Sequence, residues 1–362
     1  MRIGTRIGIM SVGSANPEHV LEQARAKQFA AGFFAEAGEL GSEFGGALAS
    51  FDNAGIDTRQ LGRPIEWLEQ PRSFAEKNAA YVEQALVISE RAANRAIERA
   101  GIARGEFGAI VFASSTGIAT PSLDARLVQS LGLSRAIARV PMWGLGCGGG
   151  GAGLARAATL ARGLDKPVLL IACELCSLTF VHGDRRKANV IAVALFGDGA
   201  AACVVAPEPW WSPGRGPELL SSYSHLIDES EHVMGWDVEE QGLRVRFSPT
   251  IPTIVEELAA TMVLEAARGA GLDPQDPNDR IEHLVVHPGG RKVLDAYESA
   301  LELEPHVLRH ARAVLREHGN MSSPTVLFVL ERFLADTPAS GRAGVLLGLG
   351  PGFCAEGVVF RW

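Results

Sequence analysis

Val140-Pro-Met-Trp-Gly-Leu-Gly-Cys147-Gly-Gly-Gly-Gly-Ala-Gly-Leu-Ala-Arg-Ala-Ala158 joins a short apolar run, one thiol, a run of glycines and an alanine-rich helical pattern. That order predicts a strand turning sharply into a helix, with Cys147 at the turn. Glycine supplies the positive φ and the close backbone approach that such an elbow needs. A helix N-terminus presents unpaired N–H groups and the positive end of a dipole, and both favour a thiolate over a thiol. A nucleophilic cysteine would be built this way. Two other readings of the same residues stand beside it. A buried free cysteine is commonly a small hydrophobe, and a glycine run can cradle phosphate. Packing alone does not call for so many glycines, however, and the run lacks the closing Lys-Ser/Thr of a phosphate loop.

The chain of 362 residues is long enough for two domains or one large two-part fold, and its hydrophobic fraction of 47% is that of a globular protein with a sizeable core. A formal net charge of −8 argues against a nucleic-acid partner, so an anionic ligand would need a local cluster of Arg and Lys. No apolar run reaches membrane-spanning length, and Glu174 interrupts the segment from Val168 to Val181. Gly4, Gly8 and Ser11 break any signal-peptide core. A cytoplasmic protein without membrane insertion is expected. The five cysteines (147, 173, 176, 203 and 354) suit a reducing compartment. Cys173-Glu-Leu-Cys176 is formally a C-x-x-C motif, but it has no second pair, and no metal site is expected.

Strands are expected at Arg6–Met10, Ala109–Ala113 and Val168–Cys173, and helices at Pro17–Ala37 (stopped by Gly38), Ala75–Ala100 (capped by Gly101) and Ser122–Leu131. Val190–Phe196, the turn Gly197-Asp-Gly199 and Ala200–Val205 read as a paired ending, and Pro207–Pro217 as a connector. The order then recurs. Helix Ile254–Gly269, strand Ile281–Val286, helix Lys292–Leu301, a helix ending at His318, helix Thr325–Leu334 and a hairpin from Gly344 to Phe360 follow. Gly101 corresponds to Gly271, Phe112 to Val286 and Gly146 to Gly319, at an offset of about 170 residues, which marks one β-α-rich unit used twice. The boundary falls between residues 1–206 and 207–362. Cys147 and Asn320 then occupy matching elbows, and His287 ends the strand whose counterpart leads into Ser114-Ser-Thr116. Ligands in open α/β sheets gather beyond the carboxyl ends of strands, so these three side chains are expected to converge at the junction of the halves.

The elbow around Cys147, His287-Pro-Gly-Gly290, Gly319-Asn-Met-Ser-Ser323, Phe196-Gly-Asp-Gly-Ala200 and Gly348-Leu-Gly-Pro-Gly352 together resemble the type III polyketide synthases, the chalcone synthase-like family. The match runs in order across nearly the whole chain. It implies an α/β, thiolase-like αβαβα five-layer fold of two duplicated halves, a homodimer, and a Cys147–His287–Asn320 centre acting on acyl-CoA and malonyl-CoA without a cofactor. Phe196 matches a gatekeeper phenylalanine of the family, and Val245 aligns with a second gatekeeper, where a smaller side chain would widen the cavity. Cys176, Thr179, Ser322 and Thr116 match pocket-lining positions, and Gly290, Gly350 and Pro351 belong to the substrate-binding loops. Leu349 replaces the middle Phe of the cyclisation loop.

Asn53-Ala-Gly-Ile-Asp-Thr-Arg59 and Met234-Gly-Trp-Asp237 are similar to bacterial members, including those making alkylpyrones and alkylresorcinols, which implies a fatty acyl starter. In this reading Cys147 is a nucleophile, its thiolate favoured by the helix end and by an imidazolium at His287, while His287 and Asn320 donate to the enolate left by decarboxylation. A single-round ketoacyl synthase and a non-catalytic acyl-CoA-binding protein of the same fold are the alternatives.

Overall fold

The computed structural model describes residues 5–35, 43–273, 275–277, 279–336 and 341–362, so the expected stop at Gly38 lies outside the described residues, as does Gly4. In chain order the first half contains β1 (Ile7–Ala15), β2 (His19–Glu22), α1 (Gln23–Ala35), α2 (Glu43–Asn53), β3 (Thr58–Leu61), α3 (Ile65–Leu68), α4 (Phe74–Ala100), β4 (Ala109–Ala113), α5 (Leu123–Ser130), β5 (Ala138–Met142), α6 (Gly149–Leu164), β6 (Val168–Leu175), α7 (Lys187–Leu195) and β7 (Asp198–Pro207). The second half contains β8 (Glu218–Leu226), β9 (Met234–Glu239), β10 (Gly242–Phe247), α8 (Ile251–Gly269), β11 (Ile281–Val286), α9 (Arg291–Ala300), α10 (Arg309–His318), α11 (Thr325–Ala335), β12 (Ala343–Gly350) and β13 (Cys354–Arg361).

Local chemistry sets several of these boundaries. The Ser73 hydroxyl accepts from the Glu76 N–H and the Glu76 carboxylate accepts from the Ser73 N–H, a reciprocal cap that starts α4. Gly101 stops it at φ 65°, a left-handed conformation that glycine adopts without strain. The fully buried β6 reads Val-Leu-Leu-Ile-Ala-Cys-Glu-Leu, the continuous apolar pattern of a strand covered on both faces.

The strands run β11-β12-β13-β8-β1-β7-β6-β4-β5, an order that mirrors itself about the β8/β1 junction except for the extra edge strand β5. β4 and β6 are parallel while β6, β7 and β1 alternate; β11 and β12 are parallel while β12, β13 and β8 alternate. At the junction β1 and β8 share only the pair Gly8–Glu218, so two sheets touch rather than merge. Between them lie α6, which packs on β4, β6, β12 and β13, and α11, which packs on β1, β7, β11 and β12. α4 and α5 cover one outer face, and α8 covers the other with α9 packed beside it. The result is the αβαβα sandwich of two like halves that the resemblance implies.

Two local expectations are corrected. Val190–Phe196 is the end of helix α7, not a strand; its apolar residues serve a segment enclosed by α1, α2 and β10, and periodicity cannot separate a buried helix from a strand. Pro17–Glu22 does not begin the first long helix, because His19–Glu22 pairs antiparallel with Thr58–Leu61. The hairpin β9–β10, closed by Glu240-Gln241, was not anticipated. Among the described residues no helix is long and apolar enough to cross a membrane.

Candidate active site

Cys147 sits in a single 3-10 turn, Gly146–Gly148, between β5 and α6, and is buried. Gly146 has φ 44°, and its N–H donates to the Ser115 hydroxyl at 3.0 Å, which fixes the elbow to the end of β4. The glycines that follow have a packing cause that the sequence reading did not credit. A Cβ on Gly150 would overlap the Ser323 carbonyl oxygen, and one on Gly151 would overlap the Glu356 carbonyl oxygen. The start of α6 is thus pressed, backbone to backbone, between the Asn320 loop and β13. These glycines bring the thiol to the midline between the halves.

Asn320 approaches from the second half. Its N–H donates to the Leu195 carbonyl at 2.8 Å, and its own carbonyl accepts from Gly197 N–H at 3.0 Å, so Phe196 and Asn320 form a parallel bridge across the halves. Its side-chain Oδ1 accepts from Ser322 N–H at 2.8 Å, and its Nδ2 donates to the Gly289 carbonyl at 3.1 Å. Those two contacts fix the orientation of the amide. The Cys147 thiol faces Asn320 Oδ1 at 3.9 Å. His287 ends β11 with its N–H donated to the Leu347 carbonyl at 2.9 Å. Its ring is buried, and neither nitrogen has a hydrogen-bond partner among the described residues. A buried imidazole with two idle nitrogens calls for an explanation, and a bound ligand is one.

Burial governs the electrostatics. It pushes the Cys147 thiol up to about 11 despite opposing hydrogen bonds from Ser322 and Asn320, and it draws the His287 imidazole down to about 3. Desolvation thus opposes the thiolate that the helix end favours, and it opposes an imidazolium at His287 as well.

Behind the thiol lies a residue that the sequence reading noted only as a break in an apolar run. Glu174, on β6, is fully buried. It accepts from Ser115 N–H at 2.9 Å, the Thr116 hydroxyl at 2.7 Å and the Ser323 hydroxyl at 3.0 Å, and burial lifts its carboxyl to about 7. It ties the loop after β4 to the loop after Asn320. An acid inside an otherwise continuous buried strand was the available signal, since it must find donors.

The expected pocket residues separate into three places. Cys176, Thr179, Phe196 and Val245 line one apolar cavity of about 40 Å³, together with Leu21 and Phe29. Gly290 borders a second cavity, of about 240 Å³, shared with Leu195, Phe247 and Arg291. Pro351 borders a third, of about 230 Å³, with Ser115, Trp143 and Trp236. Gly350 packs on the elbow itself, at 2.8 Å from Gly148 N for an added Cβ. Ser322, at φ 59°, lies beside the thiol. Thr116 faces the Glu174 cluster instead: its hydroxyl donates to Glu174 and accepts from Leu175 N–H at 2.9 Å. Leu21 was not anticipated as a lining residue, and Arg59 and Ser115 stood in the quoted stretches without an assigned role.

Comparison with known proteins supplies the context for this geometry. Residues 67–209 match the N-terminal domain of chalcone and stilbene synthases, and residues 218–362 match the C-terminal domain. The chain is 38% identical over 367 residues to a putative chalcone synthase of Bacillus subtilis, covering 98% of each. It is 40% identical over 313 residues to a 1,3,6,8-tetrahydroxynaphthalene synthase of Streptomyces peucetius, covering 86% of this chain and 82% of the relative. The crystal structure of the Streptomyces coelicolor tetrahydroxynaphthalene synthase, a bacterial type III polyketide synthase, superposes with a TM-score of 0.90 at 30% identity, covering 98% of this chain and 99% of that one. The architecture is thus the thiolase-like one of acyl-transferring enzymes. Within it, the chain belongs to the chalcone and stilbene synthase family: it is a type III polyketide synthase, an acyltransferase that catalyses decarboxylative condensation. The two relatives carry chalcone and naphthalene names rather than alkylpyrone or alkylresorcinol ones.

Proposed function

We propose that Cys147 accepts an acyl group from an acyl-CoA starter, that malonyl-CoA extends it over several rounds, and that the chain then cyclises to a pyrone or resorcinol. The observation that carries this reading is the meeting of Cys147 from one half with Asn320 from the other, at 3.9 Å, with the Asn320 amide bonded to Gly289, two residues from a buried imidazole that has no hydrogen-bond partner among the described residues. Residues 1–206 then form the half bearing the nucleophile and 207–362 the half bearing His287 and Asn320.

In the loading step the thiol transfers its proton to His287 as sulfur attacks the thioester carbonyl. The tetrahedral intermediate collapses, the C–S bond to coenzyme A breaks, and the proton passes to the departing CoA thiolate. In extension, malonyl-CoA loses CO2, and the electron pair of the broken C–C bond becomes an enolate. Neutral His287 donates one N–H to its oxygen and Asn320 donates its second amide N–H. The carbanion then attacks the Cys147 thioester and expels the Cys147 thiolate, which takes the lengthened chain for another round. Phe196, beside Val245 and packed edge-on to Phe247 with ring centroids 6.4 Å apart, screens the thioester from water.

The starter and the growing chain occupy the cavity lined by Cys176, Thr179, Phe196 and Val245. Its apolar lining favours a hydrocarbon starter, in line with the fatty acyl reading. At about 40 Å³ it has room for only a few atoms as it stands, so a long chain requires Phe29 and Leu68 at its wall to shift. Ser322, Gly290, Gly350 and Pro351 complete the walls and loops in this reading, and Thr116 supports them through Glu174. The homodimer belongs to it as well: β5 is a sheet edge, followed directly by exposed Trp143, whose indole is hydrogen-bonded to Gly117 next to exposed Ile118.

The test is mass spectrometry of products formed from malonyl-CoA and a ladder of acyl-CoA starters, short to long and aromatic. Triketide or longer lactones or resorcinols support the iterative reading, and the ladder identifies the starter. Single-condensation products alone would replace it with a one-round ketoacyl synthase.

A further inference from the structure

We propose that Arg59 is a positioning residue for the condensation, holding the crossing strand pair that carries Phe196 and Asn320; the proposal rests on the role assigned to Asn320 above. Arg59 is 1% exposed. Its guanidinium donates to three main-chain carbonyls at the end of α7: Val193 at 2.7 Å and Phe196 at 3.1 Å from Nη1, and Ala194 at 2.9 Å from Nη2. Those carbonyls are the negative end of the helix, where a cation is favourable.

The same short strand grips the other half. Thr58 Oγ1 donates to the Glu317 carbonyl at 2.8 Å, Asp57 N–H donates to the Arg316 carbonyl at 2.7 Å, and Gln60 Oε1 meets His318 Nδ1 at 2.8 Å. α10 ends at His318, two residues before Asn320. β3 is therefore a strap between the two segments that lead into the Phe196–Asn320 bridge. Arg59 lies at its centre, its Cβ close to both Gly197 and Gly319, where an added Cβ would sit at 3.1 Å and 3.7 Å. Any side chain at Gly197 would collide with the strap or with the His318 carbonyl.

An uncharged donor could hydrogen-bond one of these carbonyls, but only a planar fork reaches all three. Burial draws the guanidinium down to about 9, opposed by the nearby Asp198, so it remains charged at neutral pH. Both terminal nitrogens are committed to main-chain carbonyls, and Nε is buried without a hydrogen-bond partner among the described residues, so the charge belongs to the clamp.

Two half-reactions separate positioning from stability. Acyl loading, read as the mass gain of the Cys147 peptide, uses the thiol and not Asn320. Malonyl-CoA decarboxylation, read as CO2 release, uses Asn320. In Arg59→Met a loosened bridge displaces the amide, so the rate constant for decarboxylation falls roughly 10- to 100-fold at unchanged KM, while loading per folded molecule stays within about twofold. Arg59→Lys, which keeps the charge and reaches fewer carbonyls, falls between the two and covers the case in which the methionine variant does not fold. Equal loss of both half-reactions, or loss of neither, in the folded variant would overturn the proposal. Failure of the parent chain to load Cys147 or to release CO2 would instead overturn the functional reading beneath it.

Discussion

α6 and α11 lie side by side in the central layer, at equivalent places in the two halves, and they are built in opposite ways. α11 opens Thr-Val-Leu-Phe-Val-Leu, with every one of these side chains buried. α6 opens with glycines stripped to backbone, and they admit the Ser323 and Glu356 carbonyls to close contact. One helix fills the middle layer; the other lets its neighbours come in. The duplicated fold supplies two elbows beyond two strand ends, and this difference decides what each elbow presents. The stripped helix places a thiol at the midline. The filled helix is preceded by Asn320, whose side-chain amide reaches the thiol from the other half. The chemistry arises where the two copies have ceased to be alike.

That contrast can be broken at several points. The largest expected effect is Cys147→Ala, which removes the group unique to the α6 elbow. Condensation should fall by at least about 10³-fold while the circular dichroism and melting transition persist; product at the parent rate would show that the elbow is structural. Next is Gly151→Ala, where the added methyl overlaps the Glu356 carbonyl, a main-chain atom that cannot swing aside. A loss of order 3 kcal/mol or more is expected in denaturant unfolding, and a cost near zero would mean that the glycines are not there for packing. A smaller effect concerns the thiol itself. With its pKa pushed up to about 11 by burial, the thiolate is the minor form at neutral pH and grows as pH rises. Iodoacetamide labelling of Cys147 should therefore accelerate about tenfold per pH unit between 7 and 9. A rate already level across that range would instead support a thiolate–imidazolium pair. The smallest effect is at the far end of the same helix. Gly163 has open space around the position of its missing Cβ, so Gly163→Ala should raise stability by about 0.5 kcal/mol through backbone entropy. A loss of stability there would show that the two ends of α6 do not differ as described.

How much of this was legible in the sequence depends on the kind of signal. Helix α4, with its Ser73 cap and Gly101 stop, and strands β4, β6 and β11 were readable because capping chemistry and apolar runs are local. The duplication was readable because it preserves spacing, and it brought Cys147, His287 and Asn320 toward one junction before any coordinates. Helix α7 was misread because Val190, Ile191 and Val193 favour strands locally, and only its enclosure by α1, α2 and β10 makes them a helix. Glu174 was visible as an acid in an apolar strand, but its donors (Ser115, Thr116 and Ser323) come from two loops that only the fold brings together. The desolvation of Cys147 and His287 was not legible, since the helix end could be inferred from sequence whereas burial is a tertiary property. Arg59 stood in a recognisable motif with no readable task, because its partners are main-chain carbonyls more than 130 residues away.

The central claim is that the first-half thiol loads the acyl group with His287 as its proton partner, whereas decarboxylation needs the second-half amide of Asn320 as well. The most direct test gives Asn320→Ala both acyl-CoA and malonyl-CoA, then analyses the protein by intact mass and peptide mapping. The account predicts that one acyl group accumulates on the Cys147 peptide while CO2 release drops by about 10²-fold or more. An unlabelled Cys147, an acyl group on another residue, or product formation at the parent rate would contradict it.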